Sequence, residues 1–585
     1  MYSNKGSGIS PRRWRWAALA LIFICLVLFN KFPLQIIPAP PLFLHSQSSC
    51  PAHPPSPPFK LPPGGRFNWR DVSTQYPVQS FAQLPTSRLS SSLPPVQHDF
   101  NEAPSLYAEL IRKQRQAAVK GAFQRSWTSY KERAWLKDEL KPISGGSKTT
   151  FGGWGATLVD SLDTLWIMDM KEDFEDAIAA LTHINFKPDG VVNMFETTIR
   201  YLGGLLAAYD LTDCKDRRLL AKAMELGDMI YAGFDTPNRM PVTRWDSMKA
   251  SRGEEQSAAL NGIIAEMASF SLEFTRLSQL TGDMRYYDAV SRVANVLEEQ
   301  QSRTKLPGLW PVGIDVQTPD FTRDNQFSLG AMADSAYEYL GKTYQLLRGV
   351  GSASQYKKMY ELAMNAVIQH LLFRPMVPDE ADILMPTSVR ANGPSDVVQD
   401  HVAQHLVCFV GGMLALGGRL FQNTTHVEIG RKVTDACIWT YQNAPLGIMP
   451  EMFTMPACPS HEKCTFDPKK GGDPPGFRFI SDARYILRPE AIESVFYMYR
   501  ITGDDTYQDI AWEMFQAIDS QTRTQYANAA LKDVMKENPE RADSMDSFWT
   551  AETLKYFYLI FSEPGFISLD QWVFNTEAHP FRLVV

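Results

Sequence analysis

The sequence predicts an all-α fold built from repeated helical hairpins, and three observations carry that expectation. Apolar residues recur at helical spacing over long stretches, strand-type alternation is scarce, and one helix–turn–helix pattern occurs twice. The echo pairs LEFTRLSQLTGDMRYYDAVSRVANVL with VFYMYRITGDDTYQDIAWEMFQAI, two helices around a shared Thr-Gly-Asp-x-x-Tyr. Gly282 and Gly503 suit the end of the first helix, and Asp283 and Asp504 suit the cap of the second. Such hairpins stack as a solenoid or close into an α/α barrel; the lack of a polar capping repeat at either end favours closure.

The elements follow in order. Arg12, Arg13 and Arg15 precede an apolar run from Trp16 to Phe29, which Trp14 and residues 32–37 extend if Lys31 snorkels to the interface. A cleaved signal peptide is the alternative, but no small-x-small site follows. The reading adopted is a cytoplasmic tail (1–13), an uncleaved signal anchor (14–37) and a lumenal remainder, oriented by the arginines. Prolines crowd residues 38–63, and Ser, Pro and Gln persist to about Pro95. The 38–63 run cannot pack and stays extended as a spacer, and the whole of 38–104 is read as a stem that holds the folded part away from the membrane. From residue 105 to 585 helix-period segments dominate: 106–137, 195–209, 258–280, 329–347, 356–372, 491–501 and 548–561. Glycine pairs at 152–153, 203–204, 411–412 and 417–418 cluster where the hairpins meet; inside a helix each glycine costs about 1 kcal/mol against alanine, and close helix packing is the compensation.

Composition narrows the function. The chain has 585 residues with 58 basic and 65 acidic side chains, a net charge of −7, so no basic field exists for sequence-independent nucleic-acid binding. Hydrophobic content of 44% with 21% charged residues excludes a wholly disordered or collagen-like chain. Seven cysteines leave room for one or two bridges in an oxidising compartment. Cys458 and Cys464, with His461 between them, fit a small disulfide loop better than zinc in such a lumen. Asn423-Thr424-Thr425 is the only Asn-x-Ser/Thr acceptor. GxSxG, GxxxxGK[ST], HExxH and dinucleotide motifs do not occur.

The informative residues are carboxylates in unexpected places. Glu266 sits between Ile263 and Phe270, and Glu552 between Phe548 and Tyr556, at helical spacing from apolar neighbours. A carboxylate facing a core needs a partner or a chemical role, and Lys555 is the bland partner for Glu552. Glu490 follows Arg488-Pro489, which places it in the first turn of a helix, where the dipole favours an ionised base. An ordinary helix-stabilising acid is the competing reading there. Glu451 repeats the Pro-Glu pairing, Glu196 and Arg200 stand four apart, and Asp334 lies among small residues that leave space for a ligand or a helix.

Several long motifs, in order, resemble class I α-1,2-mannosidases, glycoside hydrolase family 47. They are FGGWGATLVDSLDTLWIM, NMFETTIRYLGGLLAAYDL, LRPEAIESVFYMYRITGD, SFWTAETLKYFYLIF and FNTEAHPF, and the resemblance spans roughly residues 112–582. It implies an (αα)7 barrel that trims α-1,2-linked mannose from high-mannose N-glycans with inversion and a required Ca2+. It places Glu196 at the general acid, Glu490 at the base, and Asp334 and Glu451 among the catalytic acids. Thr576 falls at the calcium-binding threonine, and Arg200, Glu266, Glu493, Glu552 and Glu577 line the sugar and calcium pocket. Cys408 and Cys437 match the family's disulfide pair. The implied protein is a monomer, anchored in the endoplasmic reticulum or Golgi membrane.

One departure concerns specificity. The reticulum type of this family carries an arginine where Met332 stands, and Ala333 replaces the usual glycine. A strong stop after one mannose is therefore not expected. The alternative function is a glycan-binding relative that marks misfolded glycoproteins for degradation. Against it stand the intact Glu196, Asp334, Glu451, Glu490 and Thr576, together with both Cys408 and Cys437, since degradation-associated relatives often lack that cysteine pair.

Overall fold

The computed structural model describes residue 50 and residues 67–85, 93–101 and 104–583. The expected tail and anchor (1–37) lie outside the described residues, as does most of the Pro-rich run. Among the described residues no helix is long and apolar enough to cross a membrane.

Within those residues, seven helical segments form an inner ring: 156–167, 194–211, 264–281, Asp334–Leu346, Phe409–Leu420, Glu490–Thr502 and 549–560. Seven outer helices alternate with them: Leu106–Arg133, Lys171–Leu181, Arg217–Ala232, Met284–Gln301, Ala353–His370, Thr424–Asn443 and Thr506–Thr522. The ring closes where 549–560 packs on both 156–167 and Leu106–Arg133. Burial separates the two sets. Phe409–Leu420 buries every residue except Arg419. By contrast, Arg217–Ala232 buries a stripe of Leu219, Leu220, Ala223, Leu226 and Ile230, as an outer helix should.

The shared turn forms as its residues dictate. Gly282 and Gly503 adopt φ of 72° and 74°, a conformation that other residues enter with strain. Asp283 accepts from the Arg285 N–H at 3.2 Å. The second turn differs by one residue: its helix begins at Thr506 after Asp505, and Asp504 accepts the Thr506 N–H at 3.0 Å. Glycines inside the inner helices mark close approaches. A Cβ on Gly204 would lie 2.6 Å from the Val159 carbonyl, and one on Gly418 would lie 2.8 Å from the Val427 nitrogen.

Two expected helices start later than their periodicity suggested. Residues 262–263 pair as a short strand with Gly313–Ile314 before helix Ile264–Ala268, and the 329–347 segment becomes helical at Asp334. Short hairpins of this kind crown the end of the barrel where the inner helices begin. A hairpin of Trp572–Phe574 with Pro580–Arg582 fills the interior. Phe574 packs on Phe496, Tyr497 and Tyr556 of two inner helices, which leaves residues 575–579 at the tip.

The stem expectation requires correction. Where it is described, the segment packs on the barrel. Trp69 is 5% exposed and donates its indole N–H to the Phe186 carbonyl at 2.8 Å. Arg70 pairs with Asp228 at 2.6 Å, Gln75 and Tyr76 donate backbone N–H groups to Asp235, and Val96 donates to Asp570 at 2.6 Å. Proline-rich composition prevents regular structure, but carboxylates on the barrel accept the free backbone donors and Trp69 supplies buried apolar area. Three disulfides form among the described residues: Cys408–Cys437 and Cys458–Cys464 as expected, and Cys50–Cys214, which the sequence did not indicate.

Candidate active site

The acids converge because the inner helices share one polarity. Glu196 ends the short helix Met194–Glu196, while Glu266, Asp334, Glu490 and Glu493 occupy first turns, where backbone N–H groups and the helix dipole favour negative charge. Two of the segments carry a π turn at or near their start, Thr197–Leu202 with Arg200 and Trp549–Thr553 with Glu552. Such turns disrupt regular helical spacing and are frequent at functional sites.

Together these ends line a cavity of about 330 Å3, within the usual range for small-ligand sites. Its walls include Glu196, Arg200, Glu266, Asp334, Glu490, Glu493, Glu552, Thr576 and Glu577, with Phe195, Leu406, Phe409 and Phe548 as apolar surface. Of the sequence-derived acids only Glu451 stands outside this wall. Its carboxylate accepts from Arg488 Nε at 2.6 Å, so it braces a residue that lines the cavity.

Arg200 organises one side. Its Nε donates to Glu196 Oε2 at 2.7 Å and its Nη1 to Glu577 Oε2 at 2.9 Å, with Asp160 and Asp546 each at 3.5 Å. The pair expected from four-residue spacing is thus part of a buried network. Glu490 faces a different set. Burial alone would raise its pKa, but Arg488 at 3.4 Å and His405 at 3.0 Å outweigh it and hold the carboxyl below the ordinary range. Asp334 has no such cation in contact, and burial pushes its carboxyl up to about 7. One cavity therefore contains a carboxylate kept ionised and a carboxyl kept protonated near neutrality, the separation that acid–base chemistry uses.

Deeper in, burial and the neighbouring Glu577 hold Glu552 well above the carboxylate range, while burial pushes Glu577 up to about 8. The two behave as a pair that shares a proton. Burial also pushes Glu493, which accepts from Tyr556 at 3.2 Å, up to about 8. Lys555 does not serve Glu552; its ammonium donates to Asp163 at 2.7 Å and to the Ala578 carbonyl at 2.8 Å. Beside it, His579 presents ring nitrogens to Asp160 at 3.0 Å and to Asp163 at 2.9 Å. Burial disfavours the imidazolium, yet the two carboxylates raise its pKa. These contacts fix the 575–579 tip and with it Thr576.

The donor set suits a hard cation. Thr576 offers a hydroxyl and a carbonyl, and Glu552, Glu577 and Glu493 add carboxylate oxygens to the same lining, which contains no cysteine and no histidine. Buried carboxyls with raised pKa values are also groups that a divalent ion would return to the ionised form.

Sequence reading missed His405, Arg244 and the Glu338–Lys342 pair. His405 is 85 residues from Glu490, and no local pattern joins them. Glu338 and Lys342 had a readable signal, the four-residue spacing of an ion pair on one helix face. Arg244 reaches the rim from the strand Arg244–Asp246 and pairs with Glu266 at 2.5 Å.

Comparison with known proteins identifies the family. Residues 122–583 match the model of glycosyl hydrolase family 47. The endoplasmic reticulum mannosyl-oligosaccharide 1,2-alpha-mannosidase of Homo sapiens is 36% identical over 485 residues, covering 80% of this chain and 64% of that protein's length. A mannosyl-oligosaccharide 1,2-alpha-mannosidase of Arabidopsis thaliana is 35% identical over 482 residues, covering 81% and 80%. The structure of an alpha-1,2-mannosidase from Trichoderma reesei superposes with a TM-score of 0.72 at 32% identity, covering 80% of this chain and 99% of that one. The chain belongs to glycosyl hydrolase family 47.

Proposed function

We propose that the protein hydrolyses terminal α-1,2-linked mannose from high-mannose N-glycans, with inversion at the anomeric carbon, in the lumen of the endoplasmic reticulum or Golgi. The observation that carries this reading is the contrast inside one cavity between Glu490, held ionised by Arg488 and His405, and Asp334, raised to about 7 by burial. Inversion needs one carboxylate to take a proton from water and one acid to protonate the leaving oxygen.

Glu490 is the base. His405 and Arg488 fix its carboxylate and keep it ready to accept a proton. Glu196, oriented by Arg200, and Asp334 are the two acids placed to protonate the departing glycosidic oxygen. Phe195, Phe409 and Phe548 displace water from the sugar's apolar faces. Thr576, with the carboxylates of Glu552 and Glu577 around it, would hold a Ca2+ ion. When bound, such an ion would supply positive charge to the buried acids and coordination for sugar hydroxyls. Glu266, Glu493 and Arg200 complete the sugar-facing polar wall.

Proton NMR of a nine-mannose glycan digest tests the proposal directly. Free β-mannose in the first minutes, with shorter glycans accumulating, is the expected result. Initial α-mannose would overturn inversion, and an unchanged glycan would overturn hydrolysis.

A further inference from the structure

A second cavity, of about 280 Å3, lies at the opposite end of the barrel from the acids. Tyr344 and Arg348 near the end of one inner helix, Phe421 after the end of the next, and Lys357 of an outer helix form much of its wall. Phe421 and Tyr344 meet edge to face at 4.8 Å, with Lys357 5.5 Å above the Phe421 ring. The Nε of Arg348 is buried and has no hydrogen-bond partner among the described residues.

Asn423, of the acceptor triplet, follows Phe421 and Gln422 of this wall directly. It sits in the tight turn between Phe409–Leu420 and Thr424–Asn443, where Gln422 takes a φ of 57° and Asn423 N–H donates to Gly418 at 2.8 Å. Its Oδ1 caps the following helix by accepting from His426 N–H at 3.2 Å. No hydrogen bond among the described residues uses its Nδ2, and Thr424 and Thr425 are exposed.

We propose that Asn423 carries an N-linked glycan whose first sugars seat in this cavity. The proposal rests on the lumenal reading given above. In the transfer, Asn423 Nδ2 bonds to C1 of an N-acetylhexosamine. The bond from C1 to the pyrophosphate of a lipid-linked oligosaccharide donor breaks, and one amide proton leaves. Oδ1 is untouched, so modification and the helix cap coexist. The cavity's accessible surface is mostly polar, so the sugar's hydroxyls and acetamido group suit it, with Arg348, Lys357 and Gln422 on the wall. Attached at this end, the glycan leaves the entrance between the acids clear.

Peptide mapping of protein from a glycosylating eukaryotic host, after amidase release in heavy-oxygen water, is expected to mark Asn423 as labelled aspartate. Thr425→Ala should lose the glycan and Thr425→Ser should keep it. Thr425→Ser trimmed to a single sugar should unfold as the intact variant does, and Thr425→Ala roughly 1–3 °C lower. An unmodified Asn423 overturns the proposal, and protease protection of the barrel in intact microsomes then shows whether the lumenal reading falls with it. A modified Asn423 with equal unfolding temperatures in all three samples overturns the seating of the sugar.

Discussion

His405 Nδ1 stands 3.0 Å from Glu490 Oε2, while its Nε2 faces the Tyr441 hydroxyl at 2.7 Å. His405 is fully buried, so a hydroxyl on one side and a carboxylate on the other fix the ring with its Nδ1 proton on Glu490. The arrangement aims the base and supplies a donor that helps to keep it ionised.

Glu490→Gln should reduce kcat about a thousandfold while glycan binding persists, because an amide takes no proton from water. His405→Ala should retain more activity, and the acid limb of its kcat/KM profile should move to higher pH. Removing the donor leaves burial less opposed, so the Glu490 pKa rises and activity is lost earlier as pH falls. Steady-state kinetics across pH check both; an unmoved acid limb in His405→Ala would show that the ring only fills space.

Asp334→Asn should lower kcat by about a hundredfold or more and alter the basic limb near neutrality. Stability supplies a second readout. Burial raises the folded-state pKa to about 7, so protonation favours the fold and that contribution fades as pH rises through 7. The asparagine variant escapes the loss, and its unfolding temperature relative to wild type should increase from pH 5 to pH 8. A constant difference would mean that Asp334 is already ionised at the lower pH.

Chelation should abolish turnover, and added Ca2+ should restore it. Independently of activity, Ca2+ at a hundred times its dissociation constant should stabilise the fold by about 2.7 kcal/mol, and Thr576→Ala should remove most of that shift. Thermal melts with and without the ion decide this. Equal melts together with full activity after exhaustive chelation would exclude the ion.

Met332 is 55% exposed at the cavity rim, with a φ of 76° and its carbonyl accepting from Ala265 N–H at 3.1 Å. A thioether gives competing glycan branches only apolar contact, so trimming should proceed through several α-1,2-mannoses towards a five-mannose product. Met332→Arg should slow later steps more than the first, since a guanidinium fork holds several hydroxyls. Resolved product isomers over time test this; a wild-type halt at a single eight-mannose isomer would place selectivity elsewhere.

What was legible in the sequence was local. Gly282-Asp283 announced its turn because φ preference and capping are properties of single residues. The misplaced acids Glu266 and Glu552 pointed to a site because their apolar neighbours lie on the same helix. Partners fixed by closure of the ring were not legible: Lys555 finds Asp163 across 392 residues, and His405 finds Glu490 across 85. Trp69 read as part of an unpacked stem because its burial depends on a carbonyl and a carboxylate surface far along the chain.

The Cys50–Cys214 bridge joins residues 164 positions apart and fastens the chain ahead of the first helix to the turn after residues 203–211. Anyone shortening the protein to begin at Leu106 for recombinant production would retain every barrel helix yet leave Cys214 a lone thiol. Such a preparation would be prone to covalent dimers on a non-reducing gel and to a surface left bare where Trp69 docks. Starting upstream of Cys50 avoids both faults, whereas replacing Cys214 with serine removes only the thiol.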